Sequence, residues 1–181
     1  MTTTTASAPT STAKKAKKVH IYMDFPGLKG EVVDKNYQGK IALEGVHFQT
    51  TRDINQDVGS GRARELSKPH ITQMTIYKRV DSASIGLFGK SVKGTDAAKQ
   101  VTITFTRTGA SGSTAYFGFT LDNVLVSSYE LVSGNMNGDD EEPMEKITLA
   151  FTVIEESYHE MGADGKTTAQ STEMYNLLAG E

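Results

Sequence analysis

The chain has 181 residues, a formal net charge of −3 and no cysteine, and 37% of its residues are hydrophobic. This length suits one domain with a sizeable core, and the lack of cysteine excludes a disulfide framework and a thiolate metal site. The negative charge argues against a nucleic-acid partner. Its apolar runs are far shorter than the roughly 20 residues that cross a bilayer, so no membrane insertion is predicted.

The first 18 residues are rich in threonine, alanine and lysine, and no large apolar residue follows Met1. Such a segment cannot bury a core, so we predict a disordered basic tail over residues 1–18 and a single domain over residues 19–181. A secretory signal peptide would place an apolar stretch after the lysines, but an alternating pattern follows them instead. We therefore expect no export by the general secretory route.

From residue 19 onward, apolar residues recur with the period of two that is typical of strands. The first example is Val19, Ile21, Met23 and Phe25, which share one face. Later segments show the same alternation, and they cover residues 40–50, 70–80, 101–106, 115–133 and 147–153. The pattern predicts a mainly β fold of two packed antiparallel sheets.

Two changes of phase interrupt this alternation. In the second segment the apolar face switches at Glu44-Gly45, which indicates a glycine bulge. In the long segment after residue 115 the phase switches at Asp122-Asn123. A segment of this length is too long for one flat strand, so we predict that it bends there and passes from one sheet to the other.

Residues 81–95 form the one convincing helix pattern. Asp81 is predicted to cap its amino end, and Gly94 is predicted to end it. A short helix cannot bury an apolar stripe by itself, so we expect it to pack against the strands. The predicted helix contacts with the core are the four large apolar residues Ile85, Leu87, Phe88 and Val92.

Residues 51–68 show neither the helical nor the strand period and contain Gly59-Ser60-Gly61. Structureless loops of this length are usually functional or disordered. No strand-to-helix context surrounds these glycines, so the segment does not resemble a phosphate-binding loop. An interaction loop is favoured over a passive linker.

The sequence offers little for catalysis. The four histidines are far apart in the chain and lack metal-ligand spacing, and residues 139–142 form an acidic run without the spacing of a calcium loop. Glu155 and Glu156 point to opposite faces of a strand, so they cannot flank one bond. We expect no catalytic residues, no metal and no cofactor, and we predict that the protein is not an enzyme.

The exposed strand faces suggest self-association. Threonine-rich positions such as Thr102, Thr104 and Thr106 carry no lysine to discourage edge pairing. Edges of this kind must be closed or paired with another subunit. A head-to-tail interface between identical subunits closes into a ring or extends into a filament.

The residues also resemble a known family. The most specific segments are LDNVLVSSYELVSG at 121–134 and PMEKITLAFTVI at 143–154. Weaker support comes from Tyr158 and from residues 28–31, 61–62, 81–84 and 164–166. Over about residues 19–166 the chain resembles the haemolysin-coregulated protein family, the tube subunits of bacterial type VI secretion systems.

This resemblance implies a small β-barrel with the helix at its side, six copies in a ring, and rings stacked into a tube. The implied partners are the sheath, the spike and small effectors. In the family a loop at the position of residues 51–68 reaches toward the neighbouring ring. The candidate ring-stacking residues are the charged residues of this loop: Arg52, Asp53, Asp57, Arg62, Arg64 and Glu65.

The resemblance further implies a protein that resides in the bacterial cytoplasm and is then secreted through the type VI apparatus without a signal peptide. One alternative from another class is a monomeric β-sandwich that binds a ligand such as carbohydrate. That function would favour an exposed aromatic platform, yet the chain has no tryptophan. The oligomeric state in solution distinguishes the two functions.

Overall fold

The computed structural model describes residues 19–53, 67–94, 97–109, 112–132, 142–162 and 167–180. The predicted tail at residues 1–18 lies outside this part of the chain. The elements in chain order are β1 Val19–Asp24, β2 Ile41–Leu43, β3 Gly45–His47, β4 Thr50–Thr51, β5 His70–Ile71, β6 Met74–Arg79, α1 Ser84–Lys93, β7 Ala98–Gly109, β8 Gly112–Val132, β9 Met144–Ala150, β10 Val153–Met161 and β11 Thr167–Asn176.

Two antiparallel sheets share the long strand β8. In the first sheet the strands follow the order β2-β1-β7-β8-β10-β11, and in the second they follow β8-β9-β6-β3. The first part of β8 pairs with β10 as far as Asp122, and the part from Leu125 onward pairs with β9. Asn123, at the join, has a positive φ of 52°. The predicted bend between the sheets is confirmed.

The predicted barrel is not closed. The continuous path of paired strands through both sheets begins at β2 and ends at β3, and within the described residues no ladder joins these two strands. They follow one another in the chain on either side of Glu44, whose backbone N–H donates to the Tyr77 carbonyl at 2.8 Å. The change of phase is where the sequence places it, but the predicted glycine bulge is corrected: the strand breaks at Glu44 and passes from one sheet to the other.

The core lies between the facing surfaces of the two sheets. Met23 and Phe25 of the first apolar face are fully buried, whereas Val19 at the beginning of β1 is exposed. Ile76 and Ile147 are directly opposite each other in the second sheet and are also fully buried. The period of two therefore identified the inward face of both sheets.

Helix α1 begins later than predicted. Its N-cap is Ala83, and no side chain caps it. Asp81 lies two residues before the cap, where its Oδ1 accepts a hydrogen bond from the Ala83 N–H at 2.9 Å. Gly94 ends the helix in the left-handed conformation, φ 62°, and its N–H donates to the Lys90 carbonyl. The predicted end is confirmed, and the predicted cap is wrong by two residues.

The inward face of α1 also differs from the prediction. Leu87 is fully buried in the core, but Ile85 is 80% exposed, Val92 68% and Phe88 50%. Three residues of this segment are buried: Leu87 and the small residues Ala83, which is the N-cap, and Ser84. Small residues allow the first turn to lie close to the strands, and this rotates the larger apolar residues outward. The prediction of four core contacts is therefore corrected to Leu87 alone.

A pair of alanine substitutions tests this assignment. Leu87→Ala removes a fully buried side chain and leaves a cavity, so we expect a loss of about 2–5 kcal/mol in the free energy of unfolding. Ile85→Ala, two positions away and exposed, should change it by less than about 0.5 kcal/mol. Urea denaturation at a protein concentration that keeps the chain monomeric measures both. Equal losses in the two variants would contradict the assigned face.

Candidate functional site

A buried ion pair connects the second sheet to the helix. Lys78 of β6 lies directly opposite Glu145 of β9, and both side chains are fully buried. The Lys78 Nζ is 2.6 Å from Glu145 Oε2. Removing both charges from water is costly, and the cost is recovered only when good geometry and further hydrogen bonds satisfy both groups.

Those further hydrogen bonds are present. The Lys78 Nζ lies 2.8 Å from Asp81 Oδ1 and donates to Ser84 Oγ at 3.1 Å and to the Arg79 carbonyl at 2.7 Å. Within the described residues, no buried side-chain nitrogen or oxygen lacks a hydrogen-bond partner. The network thus connects β6 and β9 to the residues that begin α1.

Sequence reasoning missed this network, although a signal was present. Lys78 follows Met74 and Ile76 on the inward face of β6, and Glu145 precedes Ile147 on the inward face of β9. A charged residue on the apolar phase of a strand has to find a partner when it is buried. Two such residues of opposite sign on inward faces were enough to suggest an ion pair.

The exposed side of α1 forms a continuous apolar surface. Ile85, Phe88 and Val92 lie three and four positions apart and therefore on one side of the helix. We call these three residues the outer helix stripe. The Phe88 ring contacts the Tyr129 ring of β8 edge to face, with centroids 5.5 Å apart. The other two residues extend into solvent, and exposed apolar surface of this kind marks interaction sites.

The predicted stacking loop is described only at its base. Arg52 and Asp53 are exposed, and the Asp53 N–H donates to Ser67 Oγ at 2.9 Å. Just outside this contact β4 pairs with β5, so the two ends of the loop are held together. The other candidates, Asp57, Arg62, Arg64 and Glu65, lie outside the described residues. Their predicted role in stacking stays a prediction.

The first sheet ends in a long edge strand. Strand β11 has ten residues and pairs with β10, and in the described part of the chain no strand covers its other side. Its sequence TTAQSTEMYN contains one charged residue, Glu173, and neither lysine nor proline. Lysine, proline and bulges are what natural proteins use to protect an edge, and of these β11 has only a shift of register at its first residues, opposite Glu160 and Met161. This edge has the hydrogen-bonding capacity to pair with another chain.

Comparison with protein families decides what kind of protein carries these surfaces. A family model described as "Type VI secretion system effector, Hcp" matches residues 22–158. The chain belongs to the Hcp family. The tube-subunit function that the sequence resemblance implies is thereby confirmed. None of the comparisons favours the monomeric ligand-binding alternative.

Solved structures show the same fold. One match, described as "Structure of a type six secretion system protein", is 20% identical with a TM-score of 0.81. The match covers 91% of this chain and 99% of that one. Hcp1 from Salmonella typhimurium is 19% identical with a TM-score of 0.69, and the match covers 89% of this chain and 96% of that one. A type VI effector from Yersinia pestis is 18% identical with a TM-score of 0.62, and the coverages are 86% and 98%. No curated protein matches the chain.

The described part of this Hcp chain holds no group of three or more histidine, aspartate or glutamate side chains that could bind a metal ion. Among the described helices, none is long and apolar enough to span a membrane. Most of the acidic run at residues 139–142 lies outside the described residues.

Tyr129 links the outer helix stripe to the buried network. Its phenol O–H donates to Glu145 Oε1 at 2.6 Å. Burial is the main cause that raises the pKa of Tyr129 to about 12 from the ordinary 10.0, and the hydrogen bond to Glu145 and the charge of that carboxylate add to it. Below pH 10 the phenol is neutral and donates to the carboxylate, so the contact stabilises the fold throughout the neutral range.

Alkaline unfolding tests this contact. Because the pKa of Tyr129 is higher in the folded chain than in the unfolded chain, its contribution is complete below pH 10 and is lost as the pH rises to about 12. We expect Tyr129→Phe to be less stable than the native chain at pH 7, by about 1–3 kcal/mol, since Glu145 loses a donor. The difference should shrink between pH 10 and 12. Urea denaturation at each pH measures it.

Tyr77→Phe is the matched control for this substitution, because Tyr77 is exposed on the outward face of β6. It removes the same oxygen without taking a donor from Glu145, so at pH 7 it should cost less stability than Tyr129→Phe does. A difference between Tyr129→Phe and the native chain that stays constant from pH 7 to 12 would contradict the assigned contact.

Proposed function

We propose that this Hcp-family chain is a structural, non-catalytic subunit whose copies close into hexameric rings, and that these rings stack into the inner tube of a type VI secretion system. Family membership supports the system and the tube. The number six and the stacking follow from the family resemblance rather than from a contact in this chain.

One observation on this chain carries the proposal. Strand β11 pairs with β10 on one side, and in the described part of the chain its other edge, ten residues long with a single charge, has no partner strand; the outer helix stripe exposes three large apolar side chains elsewhere on the subunit. A monomer with such an edge and such a stripe would associate without specificity. A closed ring gives every copy two neighbours, so exposed surfaces of this kind can be covered in each copy.

The partners follow from the same proposal. A tube of stacked rings is surrounded by the sheath, bears the spike at its tip, and is exported with or around small effector proteins. The chain would therefore reside in the bacterial cytoplasm during assembly and leave the cell through the apparatus.

Mass in solution tests the ring. At tens of micromolar we expect size-exclusion chromatography with light scattering to give about six times the 19.6 kDa of the single chain. The alternative of a monomeric binding protein gives 19.6 kDa at every concentration. A mass of one chain at tens of micromolar would contradict the proposed ring.

The loop at residues 51–68 is proposed to act in stacking and not in ring closure. Arg62→Glu combined with Arg64→Glu should leave the hexamer and its thermal stability unchanged and abolish tube growth. Exposed ion pairs contribute at most about 1 kcal/mol each, but the contacts between two rings engage together and the loss is multiplied by avidity.

Electron microscopy of the purified ring, beside a secretion assay, measures the effect. The matched control is Lys35→Glu combined with Lys99→Glu, two exposed lysines away from this loop. Tubes that still form in the arginine variant would make the loop a passive linker. Rings that dissociate would place it in the subunit interface instead.

A further inference from the structure

The inward face of the first sheet continues beyond the part that the second sheet covers. Phe105 of β7, Phe117 of β8 and Tyr158 of β10 are directly opposite one another across three neighbouring strands. The Phe105 and Phe117 rings pack edge to face with centroids 5.3 Å apart. Both are half-buried, and Tyr158 is 47% exposed. We call these three residues the aromatic shelf.

The shelf is on the core side of its sheet. In the next row of the same register Glu156 is opposite Phe119, and in the row after that Ile154 is opposite Leu121. Phe119, Leu121 and Ile154 are all buried in the core. The shelf is therefore a continuation of the core surface that the described part of the chain covers only in part, which is unlike the polar outward face of a sheet.

Two carboxylates border the shelf. Glu156 of β10 is directly opposite Glu173 of β11, and both are exposed. Like charges in directly opposite positions destabilise a strand pair. Among the described residues, no lysine, arginine or histidine forms an ion pair with either glutamate. Cations supplied by another molecule would relieve this repulsion.

A charge of the opposite sign lies beside the outer helix stripe. Lys90 and Lys93 are the basic residues of the last turn of α1, next to Val92. Lys93 is exposed, and Lys90 lies over the Phe25 ring with its Nζ 5.4 Å from the centroid. No carboxylate of the described chain forms an ion pair with either lysine. Because the Phe25 ring is buried, Lys90 lies on the inward side of the helix, and Lys93 is the exposed lysine that follows Val92 at the end of the stripe. The stripe thus has a basic residue at one end, and the shelf has an acidic border.

One copy cannot satisfy both surfaces by itself. Phe117 of the shelf lies near the beginning of β8, and Tyr129, which contacts Phe88 of the stripe, lies near its end. The bend at Asn123 separates them and directs the two parts of β8 into different sheets. Complementary surfaces at opposite ends of a subunit generate head-to-tail contacts, which is the arrangement that a cyclic ring requires.

We infer that the outer helix stripe of one copy packs on the aromatic shelf of the next copy around the ring, with Lys93 directed toward Glu156 and Glu173. This inference rests on the proposed ring and assigns the two surfaces that close it. The apolar side chains supply most of the contact, and the charges fix its orientation and select the partner.

Charge reversal tests the pairing without touching the core. Lys93→Glu makes the stripe border acidic, and Glu156→Lys with Glu173→Lys makes the shelf border basic. Each variant alone places like charges against each other, so we expect the protein concentration at half assembly to rise about tenfold for either one. Unchanged thermal unfolding of the monomer would show that each variant folds. Lys35→Glu is the matched control and should assemble as the native chain does.

An equimolar mixture of the two variants is the decisive measurement. Each contact between unlike copies pairs a basic border with an acidic one, so alternating copies restore every contact in a ring with an even number of subunits. We expect the mixture to form rings at the native concentration, measured by light scattering, with both variants present at a ratio near one in the ring fraction by mass spectrometry.

The other outcomes separate two failures. If both variants assemble like the native chain, or if each fails and the mixture does not recover, the pairing of these surfaces is overturned while the ring stands. If the native chain is itself monomeric, the ring is overturned and the pairing with it.

A second variant, Val92→Glu, should also prevent assembly, because it places a charge in the apolar contact. Normal assembly of this variant would overturn the stripe as the docking surface.

Discussion

The buried pair of Lys78 and Glu145 is the constraint on which the position of the helix depends. A lysine ammonium in the core must have several partners, and here it receives them from both sides: Glu145 across the sheet, and Asp81 and Ser84 at the beginning of the helix. Moving or rotating the first turn of the helix would take Asp81 and Ser84 away from the buried ammonium, and a buried charge whose hydrogen bonds are incomplete is costly. The network therefore specifies one helix orientation.

That orientation explains why the helix exposes its largest apolar residues. With Ser84 directed at Lys78 and Leu87 directed into the core, the positions three and four residues apart on the other side are turned to solvent. Ile85 and Val92 are the most exposed of these residues. In the proposed ring they pack on a neighbouring copy, so the buried network also sets the position of that contact.

Strand β8 organises the two sheets in the same way that the ion pair organises the helix. It belongs to one sheet up to Asp122 and to the other from Leu125, so the bend at Asn123 sets the angle between them. The sheets consequently overlap over only part of their length. The aromatic shelf and the free edge of β11 lie beyond this overlap, and in the proposed ring the shelf contacts a neighbouring copy.

The sequence by itself determined the mainly β class, the inward face of the main strands, the change of phase at Glu44-Gly45, the bend at Asp122-Asn123 and the family resemblance, because period-two alternation and its interruptions are local signals. The tertiary structure decided which side of the helix is buried, how Lys78 finds Glu145, and whether the barrel closes. These depend on strands far apart in the chain. Four apolar residues on a short helix are equally compatible with a buried and an exposed face, and only the partners of Ser84 and Leu87 distinguish them.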